Sequence, residues 1–311
     1  MMIPVFSFLF GLAGASVIYK YGEILGLMDK PSHRSSHKKS IPKGGGIGIL
    51  TAFVFCSIYL NLDNSFWIPA MLLSLLSFAG DYNGIPPIVR LIVQFGCSFF
   101  VLLGHAPFFL ILPLSIFIVG TANFYNFMDG IDGIAGTTGF IGFLLLAIYS
   151  QLNGLGAIYS LFCVGISLSC LGFLCLNFPK AKVFMGDISS ILLGFIFACL
   201  VVFFSDSLID FIVMIGFLFP FYFDEMFTLI YRIKNRDSIL KPHRKHIYQI
   251  LANEASIDHW KISLGYGFVQ AIIGISVILL SESGLVYLLM AYAVYTLVFI
   301  FISYGIRAKY L

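Results

Sequence analysis

Apolar runs approaching the roughly 20 residues that cross a bilayer as a helix recur from end to end of this 311-residue chain. Runs so long and so frequent leave no room for a soluble domain. The chain is 59% hydrophobic and 11% charged, where a soluble domain is nearer one quarter charged, and its mean hydropathy is +0.98. The expected fold is an all-α polytopic integral membrane protein, a single transmembrane domain over 1–311. About eleven spans are expected, with ten as the alternative count, near 2–19, 44–60, 67–79, 91–104, 109–122, 137–151, 156–176, 190–205, 210–230, 261–281 and 285–305. The first run has no basic residue before it and Lys20 after it, the reverse of a secretory signal, so a retained first span is expected. All six cysteines fall inside apolar runs, none beside a histidine at ligand spacing, and read as small buried hydrophobes.

Charge placement orients the spans. All 18 lysines and arginines fall in alternate connections: Lys20 to Lys43, Arg90, Lys180 and Lys182, Arg232 to Lys261, and Arg307 and Lys309. The opposite connections carry Asp63, His105, Asp206, Asp210 and Glu282 with no basic residue. By the positive-inside rule the N-terminus is outside and the C-terminus cytoplasmic. Nothing in the pattern points to nucleic acid.

Every unusual polar segment falls on the basic side, in the connections 20–43, 80–90, 123–136, 177–189 and 231–260. In "DKPSHRSSHKKSIPKGGGIGI" the lysines suit anionic lipid, while Gly44, Gly45 and Gly46 at a span mouth suit close backbone approach to a ligand. "GDYNGIPPIVRL" sets Asp81 and Arg90 on either side of a Gly-Pro turn. "NFYNFMDGIDGIAG" spaces Asn123, Asn126, Asp129 and Asp132 by three. Each such step drifts about 60° around a helix, so Asn126 and Asp129 can share a face while Asn123 and Asp132 end up opposed. Gly130, Gly133 and Gly136 then suggest that the helix ends and the chain wraps around something. In "FMGDISSILLGF" Asp187 is either a helix N-cap or a site carboxylate. "KPHRKHIYQIL" holds His243, Arg244 and His246, an anion site or a solvated basic loop. Together these segments offer few, hard oxygen ligands for a magnesium ion and a basic clamp for phosphate, the requirements of phosphoryl transfer.

These motifs resemble the polyprenyl-phosphate N-acetylhexosamine-1-phosphate transferases, glycosyltransferase family 4, over nearly the whole chain. "NFYNFMDGIDG" is similar to that family's N-x-x-N-x-x-D-G-x-D-G, and "DKPSHRSSHKKSIPKGGG" and "HRKHIYQ" look like the forms of the bacterial O-antigen-initiating branch. The resemblance implies an Mg2+-dependent enzyme, with Mn2+ as the alternative ion. It moves a sugar phosphate from a UDP-sugar donor to undecaprenyl phosphate, releasing UMP and initiating lipopolysaccharide or another envelope glycan. It further implies Asp187 and Asn126 as metal ligands, and Lys38, Asn123, Asp129, Asp132, Gly45 and Gly46 as substrate contacts. Asp81, His243, Arg244 and His246 would act at the reacting phosphates. Asp224 in "FDEMFTLIYR" matches a recurrent family aspartate. The sugar would be an N-acetylhexosamine or a deoxy relative, and a homo-oligomer is compatible with the pattern.

Two positions depart from the family pattern. Gly80 stands where the first of two paired aspartates is usual, and Ser189 where glycine is usual. A lipid phosphate with a second pKa near 6 is already mostly dianionic at neutral pH, which lessens the need for a strong general base. Gly80 is also the one feature favouring an inactive homologue that scaffolds a glycan-assembly complex. A transporter is disfavoured, because the acids sit at one interface and no internal repeat is evident.

Overall fold

The computed structural model describes residues 2–31, 36, 39–238 and 243–311, apart from the side chains of Tyr82 and Asn83. The chain is helical throughout. In order come α1 (Met2–Tyr21), α2 (Ile47–Tyr59), α3 (Asn64–Asn83), α4 (Pro87–Leu102), α5 (Phe108–Phe127), α6 (Ile134–Leu152) and α7 (Ala157–Asn177). There follow α8 (Asp187–Phe204), α9 (Leu208–Ile215), α10 (Phe219–Lys234), α11 (Ile247–Asn253), α12 (His259–Leu280) and α13 (Leu285–Tyr310). All eleven expected apolar segments fall on helices, and the protein is a polytopic membrane protein. Among the described residues, eight helical segments are long and apolar enough to cross a membrane, with α9 and α10 continuous through a 3-10 turn as one of them. The apolar helices α2 and α4 are shorter. At 1.5 Å per residue, the 13 residues of α2 rise only about 20 Å, less than the hydrocarbon core.

One strand pair was not expected. Met28–Asp29 (β1) and Ile41–Pro42 (β2) pair antiparallel, Met28 opposite Pro42 and Asp29 opposite Ile41. Phe184 N–H donates to Pro42 carbonyl at 2.8 Å, so the ribbon fastens the base of the first basic connection to the segment before α8.

The helix α8 is the axis of the bundle: 83% of its spanning window is buried, against 6% for α13. Its sequence is apolar on all sides, as expected of a helix surrounded by others. It packs against α3 and α5, which carry polar residues at their inner ends. On the flank, α1 lies close against α7 through glycines. A Cβ on Gly11 would fall 2.0 Å from Ser169 carbonyl oxygen and one on Gly172 2.1 Å from Phe8 carbonyl oxygen, the small-residue packing that membrane helices use.

Candidate active site

A cavity of about 790 Å3 opens where α3, α4, α5, α8 and α10 end, and Asp29, Ser36 and Lys43 line it together with residues of 243–249. All the connections that contribute to it belong to the basic set. Asp187 stands at its centre. The cap of α8 is Gly186, held at φ +78, and Asp187 is the first helical residue, so its carboxylate does not cap the helix. It accepts instead from Arg90 Nη1 of α4 and from Asn126 Nδ2 of α5, the latter at 2.9 Å. Asn126 also donates to Ser190 Oγ at 2.7 Å, which leaves its carbonyl oxygen available. The Asp187 N–H donates to Asp81 Oδ2 at 2.8 Å, and Lys43 Nζ reaches Asp81 Oδ1 at 3.2 Å.

Electrostatics at this end favour a cation. Burial, then the neighbouring charges of Asp187 and Asp81, push the Asp129 carboxyl up to about 7. Burial and Asp187 push Asp81 up to about 6, with Lys43 opposing. Two acids pushed up beside a third carboxylate mark a site short of positive charge. Among the described residues, no three His, Cys, Asp or Glu side chains stand as a ready ligand set. The fit is therefore to an ion held by one carboxylate and one carboxamide, with phosphates and water completing its shell, which is how magnesium is commonly bound. Asp187 and Asn126 are the residues that fit.

The opposite wall is basic and aromatic. His243, His246, Tyr248 and Gln249 from the segment before and within α11 face Arg232 and Glu225 of α10. His246 is buried, and burial together with Arg307 and Arg232 brings its imidazole down to about 3. Burial and His246 bring His243 down to about 4, so both rings are neutral at pH 7 and can accept as well as donate. His246 Nε2 lies 3.3 Å from Glu225 Oε2 without hydrogen-bond geometry. Tyr248 hydroxyl donates to Phe127 carbonyl at 3.0 Å, joining the histidine segment to the end of α5.

Of the residues expected from sequence, Asp81, Asn126, Asp129, Asp187, His243 and His246 line this cavity. Five do not. Asn123 turns to α4, donating to Gln94 Oε1 at 2.6 Å and to Val119 carbonyl at 2.7 Å. Asp132 turns to α12, with Oδ2 3.3 Å from His259 Nδ1 and its carbonyl accepting from Ser263. Gly45 and Gly46 do approach something closely, but it is the chain itself. Their N–H groups donate to Phe184 and Met185 carbonyls, and a Cβ on Gly46 would fall 2.5 Å from that of Ser189. Arg244 is half-buried outside the lining. Lys38 lies outside the described residues.

Sequence reasoning did not single out Lys43, Arg232, Glu225, Tyr248 or Asn177, all of which line the cavity. Glu225 carried a signal, being an acid inside an apolar run. Asn177 did not: it accepts from Gly133 N–H and donates to Val183 carbonyl, a role visible only once both loops are in place.

Comparison with known proteins agrees with the geometry. The glycosyl transferase family 4 profile matches residues 64–205, which span α3 to the end of α8 and include Asp81, Arg90, Asn126, Asp129 and Asp187. The chain is 28% identical over 251 residues to a probable undecaprenyl-phosphate N-acetylglucosaminyl 1-phosphate transferase of Bacillus subtilis, covering 73% of this chain and 70% of that one. It is 27% identical over 284 residues to the undecaprenyl-phosphate alpha-N-acetylglucosaminyl 1-phosphate transferase of Thermotoga maritima, covering 84% and 85%. A phospho-N-acetylmuramoyl-pentapeptide-transferase of Staphylococcus saprophyticus is 29% identical over 302 residues, covering 83% and 92%.

Proposed function

The chain belongs to glycosyl transferase family 4, and from that premise we propose that it transfers a sugar 1-phosphate from a UDP-sugar to undecaprenyl phosphate, releasing UMP. The sugar is of the N-acetylhexosamine or deoxy-N-acetylhexosamine type, and the product starts a lipid-linked envelope glycan. The reaction takes place at the cytoplasmic face of the inner membrane. The observation that carries this reading is the cavity itself, in which three converging carboxylates share the ends of membrane helices with Lys43, Arg90, Arg232 and two neutral histidines.

In this reaction an oxygen of the lipid phosphate attacks the sugar-proximal phosphorus. The bond from that phosphorus to the bridging oxygen breaks, and the bridging oxygen leaves with UMP. Lys43 and Arg90 neutralise phosphate charge and hold the attacking and transferred groups in line. Asp81, tied to Lys43 and to the start of α8, orients the acceptor phosphate and takes any proton it still carries. His243 and His246 hydrogen-bond the diphosphate without adding charge. Asp187 and Asn126 would hold Mg2+, which supplies electrostatic stabilisation of the leaving phosphate.

The test is UMP release by detergent-purified protein from a panel of UDP-N-acetylhexosamines, with and without undecaprenyl phosphate and Mg2+. Release that needs both additions supports the reading. Gly80 favours the alternative of an inactive scaffold, and absence of release with every donor would establish that alternative instead.

A further inference from the structure

The last helix contradicts its own composition. Of the 26 residues of α13 only Leu288, Ser303 and Arg307 are buried, and one of those three is an arginine at 7% exposure. A helix that served only to anchor the chain in lipid would have no reason to turn its one buried charge inward, because an unpaired buried charge is costly. Arg307 is built into a relay. Its Nε donates to Ser303 Oγ at 3.2 Å, and its Nη2 donates to Thr228 Oγ1 at 2.8 Å. The Thr228 hydroxyl in turn shares its proton between Asp224 Oδ1 at 3.2 Å and Lys245 carbonyl at 3.4 Å.

Asp224, with no exposed surface, is the hub of the relay. It accepts from Ile247 N–H at 2.8 Å, from Tyr248 N–H at 3.4 Å and from Tyr266 hydroxyl at 2.7 Å. Every donor but Tyr266 and Thr228 belongs to the segment that carries the cavity histidines. The Arg307 guanidinium also stacks 4.5 Å over the Tyr231 ring, and Lys245 Nζ lies 5.7 Å from the same ring. Residues of α10 and α12 thus hold one short segment by charge-assisted bonds in addition to the burial of Ile247 and Tyr248, and Arg307 of α13 joins them through Thr228.

We propose that Arg307, acting through Thr228 and Asp224, is a positioning residue that fixes the segment 243–248 in the cavity wall. The last helix is thereby a working part of the active site. None of the three touches the cavity, so none is a catalytic residue. This assignment rests on the transferase reading for its kinetic consequence but not for its structural one, and the experiment separates the two.

Thr228→Val keeps shape and removes only the bridging hydroxyl, Arg307→Met removes the charge, and Thr228→Ser restores the relay. Amide hydrogen exchange on the purified protein should be faster in peptides covering 243–253 for Thr228→Val and Arg307→Met. It should stay at the parental rate for Thr228→Ser and, in all variants, for peptides from α8. In turnover, Thr228→Val should lower kcat by about tenfold, the scale of a small misplacement, while the Mg2+ concentration for half-maximal rate stays unchanged. Unchanged exchange at 243–253 in both disrupting variants overturns the proposal whatever the activity does. Faster exchange at unchanged kcat and KM overturns the positioning role and leaves a structural one. If the parental protein releases no UMP, the exchange arm still decides the clamp, and the transferase reading alone has failed.

Discussion

Asp187→Asn should nearly abolish turnover while leaving the fold almost untouched, and the structure gives the size of both effects. The carboxylate has two side-chain partners, Arg90 and Asn126. The pair with Arg90 is about a quarter exposed on each side, at 28% and 25%. Solvent screening puts its contribution at no more than about 1 kcal/mol. Asparagine keeps an acceptor for Asn126, so only the charge assistance of that bond is lost. Against these losses stands a gain. Asp187 is a leading cause of the raised values of Asp129 and Asp81, and removing its charge relieves both. Net stability should change by within about 1 kcal/mol, a Tm shift of about 3 °C. The same substitution removes the anionic oxygen that fits a divalent cation. The expected fall in Mg2+-dependent UMP release is at least about a thousandfold, equivalent to about 4 kcal/mol in the barrier. Thermal unfolding across an Mg2+ titration provides a readout without turnover: the parent gains Tm as the ion binds the folded state, and the variant does not. Turnover within tenfold of the parent would refute the metal assignment. A Tm loss beyond about 10 °C would refute the charge balance.

Three further outcomes follow from the same geometry. His246 is held neutral in the fold, with its value lowered to about 3, whereas in the unfolded chain it protonates below about 6.5. Its contribution to stability is therefore present at pH 7.5 and lost on acidification, by about 1 kcal/mol at pH 5.5, and pH-dependent melting should lose that slope in His246→Gln. Asn123→Ala should cost about 1–3 kcal/mol by orphaning the buried Gln94 carbonyl, with KM for the UDP-sugar unchanged; a raised KM would return Asn123 to the substrate site. Gly80→Asp should fold normally, since a Cβ there meets nothing closer than Arg90 Cδ at 3.5 Å. If positioning and charge neutralisation carry the rate, its turnover should stay within about threefold of the parent, and a large gain would show that the second acid matters.

The division of the Asn123–Asp132 segment shows what sequence spacing can and cannot specify. Helical spacing opposes Asn123 to Asp132, and the structure sends these two to different neighbours, Asn123 to α4 and Asp132 to α12. The expectation that Asp132 joins Asp129 at the substrate differs from this, since of the four only Asn126 and Asp129 line the cavity. What spacing does not reveal is where the outer pair goes. Gln94 lies 29 residues before Asn123, and His259 lies 127 residues after Asp132. Those partners exist only after α4 and α12 have packed. The glycines at 45 and 46 misled for a related reason. A residue without a side chain signals close approach to something, and chain and ligand look alike in a sequence.

Buried charge is the opposite case, legible in kind but not in consequence. An apolar run interrupted by Asp224 and Glu225 announces that something must compensate them, because lipid will not. Only the fold shows that the compensation differs. Asp224 and Arg307 are joined through Thr228, Arg307 by Nη2, whereas Glu225 lines the cavity with Oε2 accepting no hydrogen bond among the described residues. Loosening the pair would let His246 move relative to Glu225. The positioning residues and the cavity residues are thus energetically coupled, and a double variant of Thr228 and Glu225 should depart from additivity where variants of Thr228 and Asn123, which share no hydrogen-bond partner, should not.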